Sequence, residues 1–274
     1  MQFVYRFEAM TTPCEIILFA KSKEQADKTA KKILHETKRL EKKYNYFSPT
    51  SYLSALNSRD EAFLDSETLW LLKKAIDFYH KTNGVFDITI GTIKDIYKNS
   101  TTLSEIEYQK NLLLPFVGCE HIQLKKRKLY FDNPHTKIDL GGFIKEYAVD
   151  KAIEIIKKNK ISGALVNFGG DIYALGKKTD GSKFKIGIKD PKNNKKIAKF
   201  VEIENKALTT SASYERNITI QTKIFSHILS KNKDSSICIS KSVSVISPTC
   251  LQSGVYSTAL IIDPTLRDDD VLIV

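Results

Sequence analysis

Lys137 to Asp150 reads Lys-Ile-Asp-Leu-Gly-Gly-Phe-Ile-Lys-Glu-Tyr-Ala-Val-Asp, a run whose residue types suit the binding of an anion. A short apolar strand ending at Asp139 and Leu140 runs into Gly141-Gly142, and a helix begins after it. Two glycines leave backbone N–H groups open and let a ligand approach where a Cβ would stand in the way. Asp139 puts an acceptor before this opening, and Lys145 puts a cation in the first helical turn after it. Read alone, the pair of glycines serves equally well as a tight turn. A second such junction follows, where the buried-type strand Ala164 to Phe168 stops at Gly169-Gly170-Asp171.

The elements that position these residues follow from apolar periodicity. Ile144, Ala148, Ala152, Ile155 and Ile156 recur at the spacing of an amphipathic helix. Ser22 to Tyr44 is a second helix, with Ala26, Ala30, Ile33 and Leu34 on one face and Ser22 as its N-cap. Ser66 to His80 is a third, closed by the turn signal Asn83-Gly84. Gln252 to Ile262 is a candidate fourth. Met1 to Phe7, Cys14 to Ala20, Phe184 to Lys189, Ala198 to Ile203, Ile218 to Ile228 and Ser242 to Ile246 read as strands, and His121 to Phe131 as a hairpin. Tyr46 to Ser51 reads as a loop, and residues 92 to 120 as an insertion with a short helix. No repeat, low-complexity run or linker divides the chain. Many strands and three or four packed helices predict an α+β fold with a mixed, mostly antiparallel sheet core, as one domain over residues 1–274.

Composition narrows the function classes. With 42% hydrophobic and 27% charged residues the chain is globular in type, not disordered. The net charge of +11 comes mainly from dispersed lysines. The densest basic runs, Lys21 to Lys43 and Lys192 to Lys199, lack the interleaved aromatics of a nucleic-acid platform, so no nucleic-acid partner is expected. A basic surface does favour phosphate-bearing ligands. Cys14, Cys119, Cys238 and Cys250 form no CxxC pair and the five histidines are scattered, which predicts no zinc site and buried, reduced thiols. No apolar run approaches about 18 residues, so no membrane span is expected. The N-terminal residues show neither signal-peptide pattern nor lipobox, and a cytoplasmic location is the expectation.

Taken in order, the loop segments carry a resemblance. Met10-Thr11-Thr12, Ser51-Tyr52-Leu53-Ser54-Ala55-Leu56-Asn57, Gly84-Val85-Phe86-Asp87-Ile88-Thr89, Asp139 to Asp150, Asn167-Phe168-Gly169-Gly170-Asp171, Thr210 to Arg216 and Ser226-His227-Ile228-Leu229 match seven family segments in sequence. The chain resembles the ApbE flavin transferases, which move FMN from FAD onto a threonine or serine of a target protein with Mg²⁺, although many of them are exported. The resemblance spans nearly all of residues 10 to 262 and implies a T-fold-related architecture. It implies an FAD site along Met10, Phe47, Val85, Phe86, Asp87, Asp139, Lys145 and Leu229. It implies Mg²⁺ held at Gly142, Ile144 and Thr258, and His227 as the group that helps the acceptor hydroxyl lose its proton. No acceptor sequence of the family type occurs in the chain itself, so a separate acceptor protein is implied.

Departures from the family pattern concentrate at the metal. The family's late Ala-Asp-Ala-x-x-Thr-Ala reads here Ser253-Gly254-Val255-Tyr256-Ser257-Thr258-Ala259, with Gly254 where a metal-binding carboxylate is expected. Glu146 stands for a glycine, as do Thr11 and Ala212, Ile88 stands for a proline, and the family's segment after His227 decays at Ser230 to Asp234. A hard divalent ion that loses an anionic ligand binds more weakly. Two alternatives to flavin transfer therefore stay open: FAD cleavage with water as acceptor, and a non-catalytic flavin binder. On this reading Gly254→Asp is expected to raise Mg²⁺ affinity, and Asp139, Lys145, Asp87 and Thr258 are expected to converge.

Overall fold

A computed structural model of the chain describes residues 1–213, 217–231 and 242–274. β1 (Gln2–Ala9) and β2 (Thr12–Phe19) open it as a hairpin whose two turn residues, Met10 and Thr11, both take positive φ, 53° and 58°. Two such residues make the turn whose twist matches paired strands. α1 (Lys23–Lys43) follows, its first turn closed by the Ser22 hydroxyl accepting from the Gln25 N–H. α2 (Tyr52–Ser58), α3 (Ser66–Lys81), α4 (Gly91–Asn99) and α5 (Leu103–Leu113) come next, then the hairpin β3 (Ile122–Lys125) and β4 (Lys128–Phe131). α6 (Ile144–Lys158) leads to β5 (Gly163–Phe168) and β6 (Asp171–Leu175). β7 (Phe184–Asp190) and β8 (Asn193–Ile203) form a long hairpin, followed by β9 (Lys206–Ala212). The short hairpin β10 (Asn217–Ile220) and β11 (Lys223–Ser226), β12 (Ser242–Ser247), α7 (Cys250–Ile262) and β13 (Leu272–Ile273) complete it.

Seven strands form one sheet in the order β1-β2-β5-β6-β9-β12-β13, every described pair antiparallel. The period of two sorts its side chains. Ile16, Leu18, Val166, Phe168, Tyr173, Ala207 and Val245 enter the main core, to which α1, α6 and α7 contribute Ile33, Leu40, Val149, Ile156, Val255 and Tyr256. The alternate residues Ile172, Ala174, Leu208 and Ile246 meet Phe184, Ile186, Ile188 and Ile203 of the β7–β8 hairpin on the other face. α7 is apolar nearly all round because it lies between the sheet and α6. A third cluster, Ile93, Ile96, Tyr97, Ile106, Ile220 and Phe225, docks the β10–β11 hairpin on α4 and α5. No described helix is long and apolar enough to cross a membrane.

The α+β architecture and mostly antiparallel sheet agree with the sequence reading, while several local expectations change. Seven α-helices are present among the described residues instead of three or four: α2 follows directly on the loop read over Tyr46 to Ser51, and α4 and α5 occupy the insertion read as holding one short helix. Gly169-Gly170 is a turn between antiparallel β5 and β6, with φ of 62° and 98°, and leads into a strand, not a helix. The apolar strand expected before Gly141 shrinks to one bridge, Lys137 with Ile90. Ile218 to Ile228 breaks into two strands at Gln221, whose φ is 52°. Cys14, Cys119 and Cys250 are buried free thiols as expected; Cys238, Tyr214 to Arg216 and Asn232 to Asp234 lie outside the described residues.

Candidate functional site

Asp139 is fixed by its backbone before its side chain acts. Its N–H donates to the Ile88 carbonyl at 2.7 Å. The N-terminus of α4 presses on the same segment: a Cβ on Gly91 would lie 2.8 Å from the Lys137 carbonyl oxygen, so only glycine fits. The Asp139 carboxylate then accepts from the Gly141 N–H (2.9 Å) and pairs with the Lys94 ammonium at 2.5 Å. That ammonium also lies 4.7 Å from the Phe47 ring centre and 4.8 Å from that of Tyr46. Phe47 is 62% exposed, held edge-on by Tyr46, with Lys98 at 5.5 Å on its ring. A flat apolar face between two lysines can stack an aromatic ring and hold a phosphate beside it.

Phe86 and Asp87 lie behind this group. Phe86 is buried against Phe143 at 5.7 Å, with Val85 half-buried beside the core. Asp87 accepts from the Thr89 N–H and hydroxyl, both at 2.7 Å, and from the Cys119 thiol. Thr89 in turn accepts from the Gly118 N–H. Burial pushes the Asp87 carboxyl above its usual range, against the pull of the Thr89 hydrogen bonds. One of its oxygens is buried and has no hydrogen-bond partner among the described residues.

The start of α6 is open on one side and packed on the other. Gly141 and Gly142 are exposed, and a Cβ on Gly142 would meet nothing within 4 Å. Phe143 and Ile144 are buried. Lys145 forms an ion pair with Asp171, the first residue of β6, and lies 3.9 Å from Glu146. Asp171 and Glu146 are 2% and 6% exposed. The turns of β1–β2 and β5–β6 adjoin at the same end of the sheet: a Cβ on Gly169 would lie 2.0 Å from the Thr12 hydroxyl. Met10 donates its N–H to the Glu41 carboxylate on α1, which fastens the first of these turns.

α7 meets this region from the opposite helix. Asp150 accepts from the N–H groups of Cys250 and Leu251 at 2.8 and 2.9 Å, so α6 caps the N-terminus of α7. One turn away on each helix, Glu146 faces Gly254. On the sheet side, Thr209 bonds Ser253 (2.6 Å), and Ser211 bonds Ser257 (2.8 Å) and Thr258 (3.1 Å). Thr258 thus sits on the α7–β9 seam one turn beyond Gly254. A side chain at 254 meets a constraint in this geometry, since its Cβ would stand 2.4 Å from Cγ of Glu146, which would have to move.

Of the expected residues, Phe47, Asp139 and Asp87 therefore group around Lys94, and Lys145 and Thr258 around Asp171 and Glu146. Phe143 links them, touching Phe86 and preceding Ile144. His227 is exposed just beyond β11, and Leu229 is half-buried on the cluster of α4 and α5. Lys94, Lys98, Tyr46 and Asp150 were missed by sequence reasoning. Among the described residues no three His, Cys, Asp or Glu side chains gather as a metal cage.

Comparison with known proteins agrees with this geometry. The sequence model of the ApbE family matches residues 10–267. A Chlamydia pneumoniae protein called FAD:protein FMN transferase is 26% identical over 230 residues, covering 79% of this chain and 70% of that one. A Vibrio cholerae protein of the same name is 23% identical over 225 residues, covering 80% and 67%. The crystal structure of the ApbE protein from Thermotoga maritima superposes with a TM-score of 0.83 at 25% identity, over 94% of this chain and 86% of that one. With a match that takes in the β1–β2 turn, both glycine pairs and α7, the chain belongs to the ApbE family.

Proposed function

We propose that this chain transfers FMN from FAD to a serine or threonine hydroxyl of an acceptor protein, assisted by Mg²⁺. The observation that carries the reading is the exposed Gly141-Gly142 opening with Lys94 on one side and Lys145 on the other. Open backbone and two cations suit a pyrophosphate, and the exposed Phe47 ring beside Lys94 suits the flavin. The acceptor oxygen attacks the phosphorus on the FMN side, the P–O bond to AMP breaks, and AMP leaves. In this reading His227 takes the hydroxyl proton, a task that suits an imidazole. The buried unpartnered oxygen of Glu146, the Thr258 hydroxyl and the open backbone at Gly142 are hard oxygen donors that fit Mg²⁺, with the Gly142 and Ile144 carbonyls completing the set. Bound there, Mg²⁺ would neutralise charge on the transferring phosphoryl group.

The test is incubation with FAD, Mg²⁺ and a candidate acceptor protein, followed by the acceptor's mass. A gain of one FMN is expected, with AMP released. FMN and AMP without a mass gain would instead identify FAD cleavage, and intact bound FAD a binder only. A second prediction concerns Phe47. Its exposure means Phe47→Ala changes unfolding stability by less than about 0.5 kcal/mol. Loss of the stacking face weakens FAD binding by about 1–3 kcal/mol, measured by flavin fluorescence titration. Unchanged FAD affinity would remove Phe47 from the site.

A further inference from the structure

We propose that Glu146 supplies from α6 the carboxylate that α7 lacks at Gly254, so that the divalent cation is gripped from the opposite helix. The inference rests on the Mg²⁺-assisted reading above, and it assigns a ligand that the family pattern does not place at this position.

Three observations carry it. The Glu146 carboxylate is buried, with the residue only 6% exposed, and its Oε2 has no hydrogen-bond partner among the described residues. The nearest cation, Lys145, stands 3.9 Å from Oε1 and is already paired with Asp171. A buried carboxylate without a hydrogen-bond partner is unfavourable unless a cation joins it. Its place in the first turn of α6 does not account for it, since a helix dipole favours a carboxylate at the surface and requires no burial.

The second observation is where the side chain lies. A Cβ on Gly254 would be 2.4 Å from Glu146 Cγ, 3.1 Å from Cδ and 3.2 Å from Oε1. Glu146 therefore fills the volume into which a side chain at 254 would project. The glycine is what allows it to lie there. The third observation is Thr258, one helical turn further along α7, whose hydroxyl adds a neutral oxygen on the β9 side. Position 254 has lost a carboxylate and gained a glycine, and the position facing it has done the reverse. The charge has crossed from one helix to the other, opposite the position that lies one turn before Thr258 on α7.

The experiment uses Mn²⁺ as probe, titrated into the full chain with FAD present and acceptor absent, and followed by the free-ion EPR signal. Glu146→Gln keeps the side chain's shape and removes its charge; Mn²⁺ affinity is expected to fall by about tenfold or more, since even outer-sphere partners of metal ligands are worth that much. The double variant Glu146→Gly with Gly254→Asp returns the carboxylate to α7 and is expected to recover affinity to within about threefold of wild type. Thermal melts of both variants confirm that a folded chain is being read. Wild-type affinity in Glu146→Gln, or no Mn²⁺ binding by the wild type, overturns the proposal. Because Mn²⁺ binding is measured without turnover, a failure of flavin transfer leaves this result standing, and transfer by a chain whose Mn²⁺ affinity ignores Glu146 leaves the transferase reading standing.

Discussion

Lys145→Met is expected to destabilise the protein by about 3–5 kcal/mol at pH 7, the range for breaking a buried ion pair from one side. Its partner Asp171 is 2% exposed and follows the tight Gly169-Gly170 turn. Glu146, 3.9 Å from the same ammonium, loses its nearest cation too. Methionine fills the lysine's volume, so the loss is electrostatic and not a cavity effect. Adding Asp171→Asn to Lys145→Met is expected to recover at least half of the lost stability, a coupling that places both residues in one interaction. Urea unfolding at pH 7 provides the check. A loss below about 1 kcal/mol for Lys145→Met at pH 7 would show that Asp171 is satisfied by another partner.

What the sequence made legible here is local. The periods of α1, α3 and α6 are visible because each has one apolar stripe against one neighbour. Where α4 and α5 stand only one short helix is legible, because α4 is short and is stabilised by docking on the β10–β11 hairpin more than a hundred residues away, which periodicity does not register. Lys94 was invisible for that reason. Its meaning comes from where α4 points, onto Asp139 and Phe47, and not from its neighbours in the chain. The Met10–Thr11 turn lacks the Asn-Gly or Asp-Gly signature of its type; Thr11 holds φ of 58° without glycine, a strained choice for a β-branched residue. The two departures at 146 and 254 were each readable in the sequence as losses. Only the antiparallel packing of α6 on α7, set by Asp150 at the helix N-terminus, shows them in contact. The motif order located the site; the partners that tune it came from tertiary contacts.

That same capping residue makes stability depend on pH in a direction opposite to ordinary acid denaturation. Asp150 accepts two backbone N–H groups at the head of α7, yet burial outweighs them and pushes its carboxyl from the ordinary 3.8 up to about 7. A carboxyl with a raised folded value binds its proton more tightly when folded, so its contribution is full below about pH 4 and is lost as pH rises through about 7. Over that window the loss amounts to about 4 kcal/mol. Elsewhere Arg39 holds Glu36 below its usual range, and the Thr101 and Thr102 N–H groups do the same for Glu105, so those carboxylates lose stability only as pH falls below about 4. Burial raises Asp87 in the same sense as Asp150. The expected stability curve therefore peaks near about pH 5 and declines toward pH 8. Asp150→Asn isolates the cap: its amide oxygen can accept one of the two N–H groups and leaves the other unsatisfied, a loss of about 1–3 kcal/mol at pH 5. Unable to ionise, it avoids the penalty above pH 7, so the variant is expected to approach or exceed wild type at pH 8 and to flatten the decline. Guanidinium unfolding of both proteins from pH 5 to pH 8 decides it. Parallel curves would mean that Asp150 is ionised in the folded chain throughout, with the dipole and N–H groups of α7 prevailing over burial.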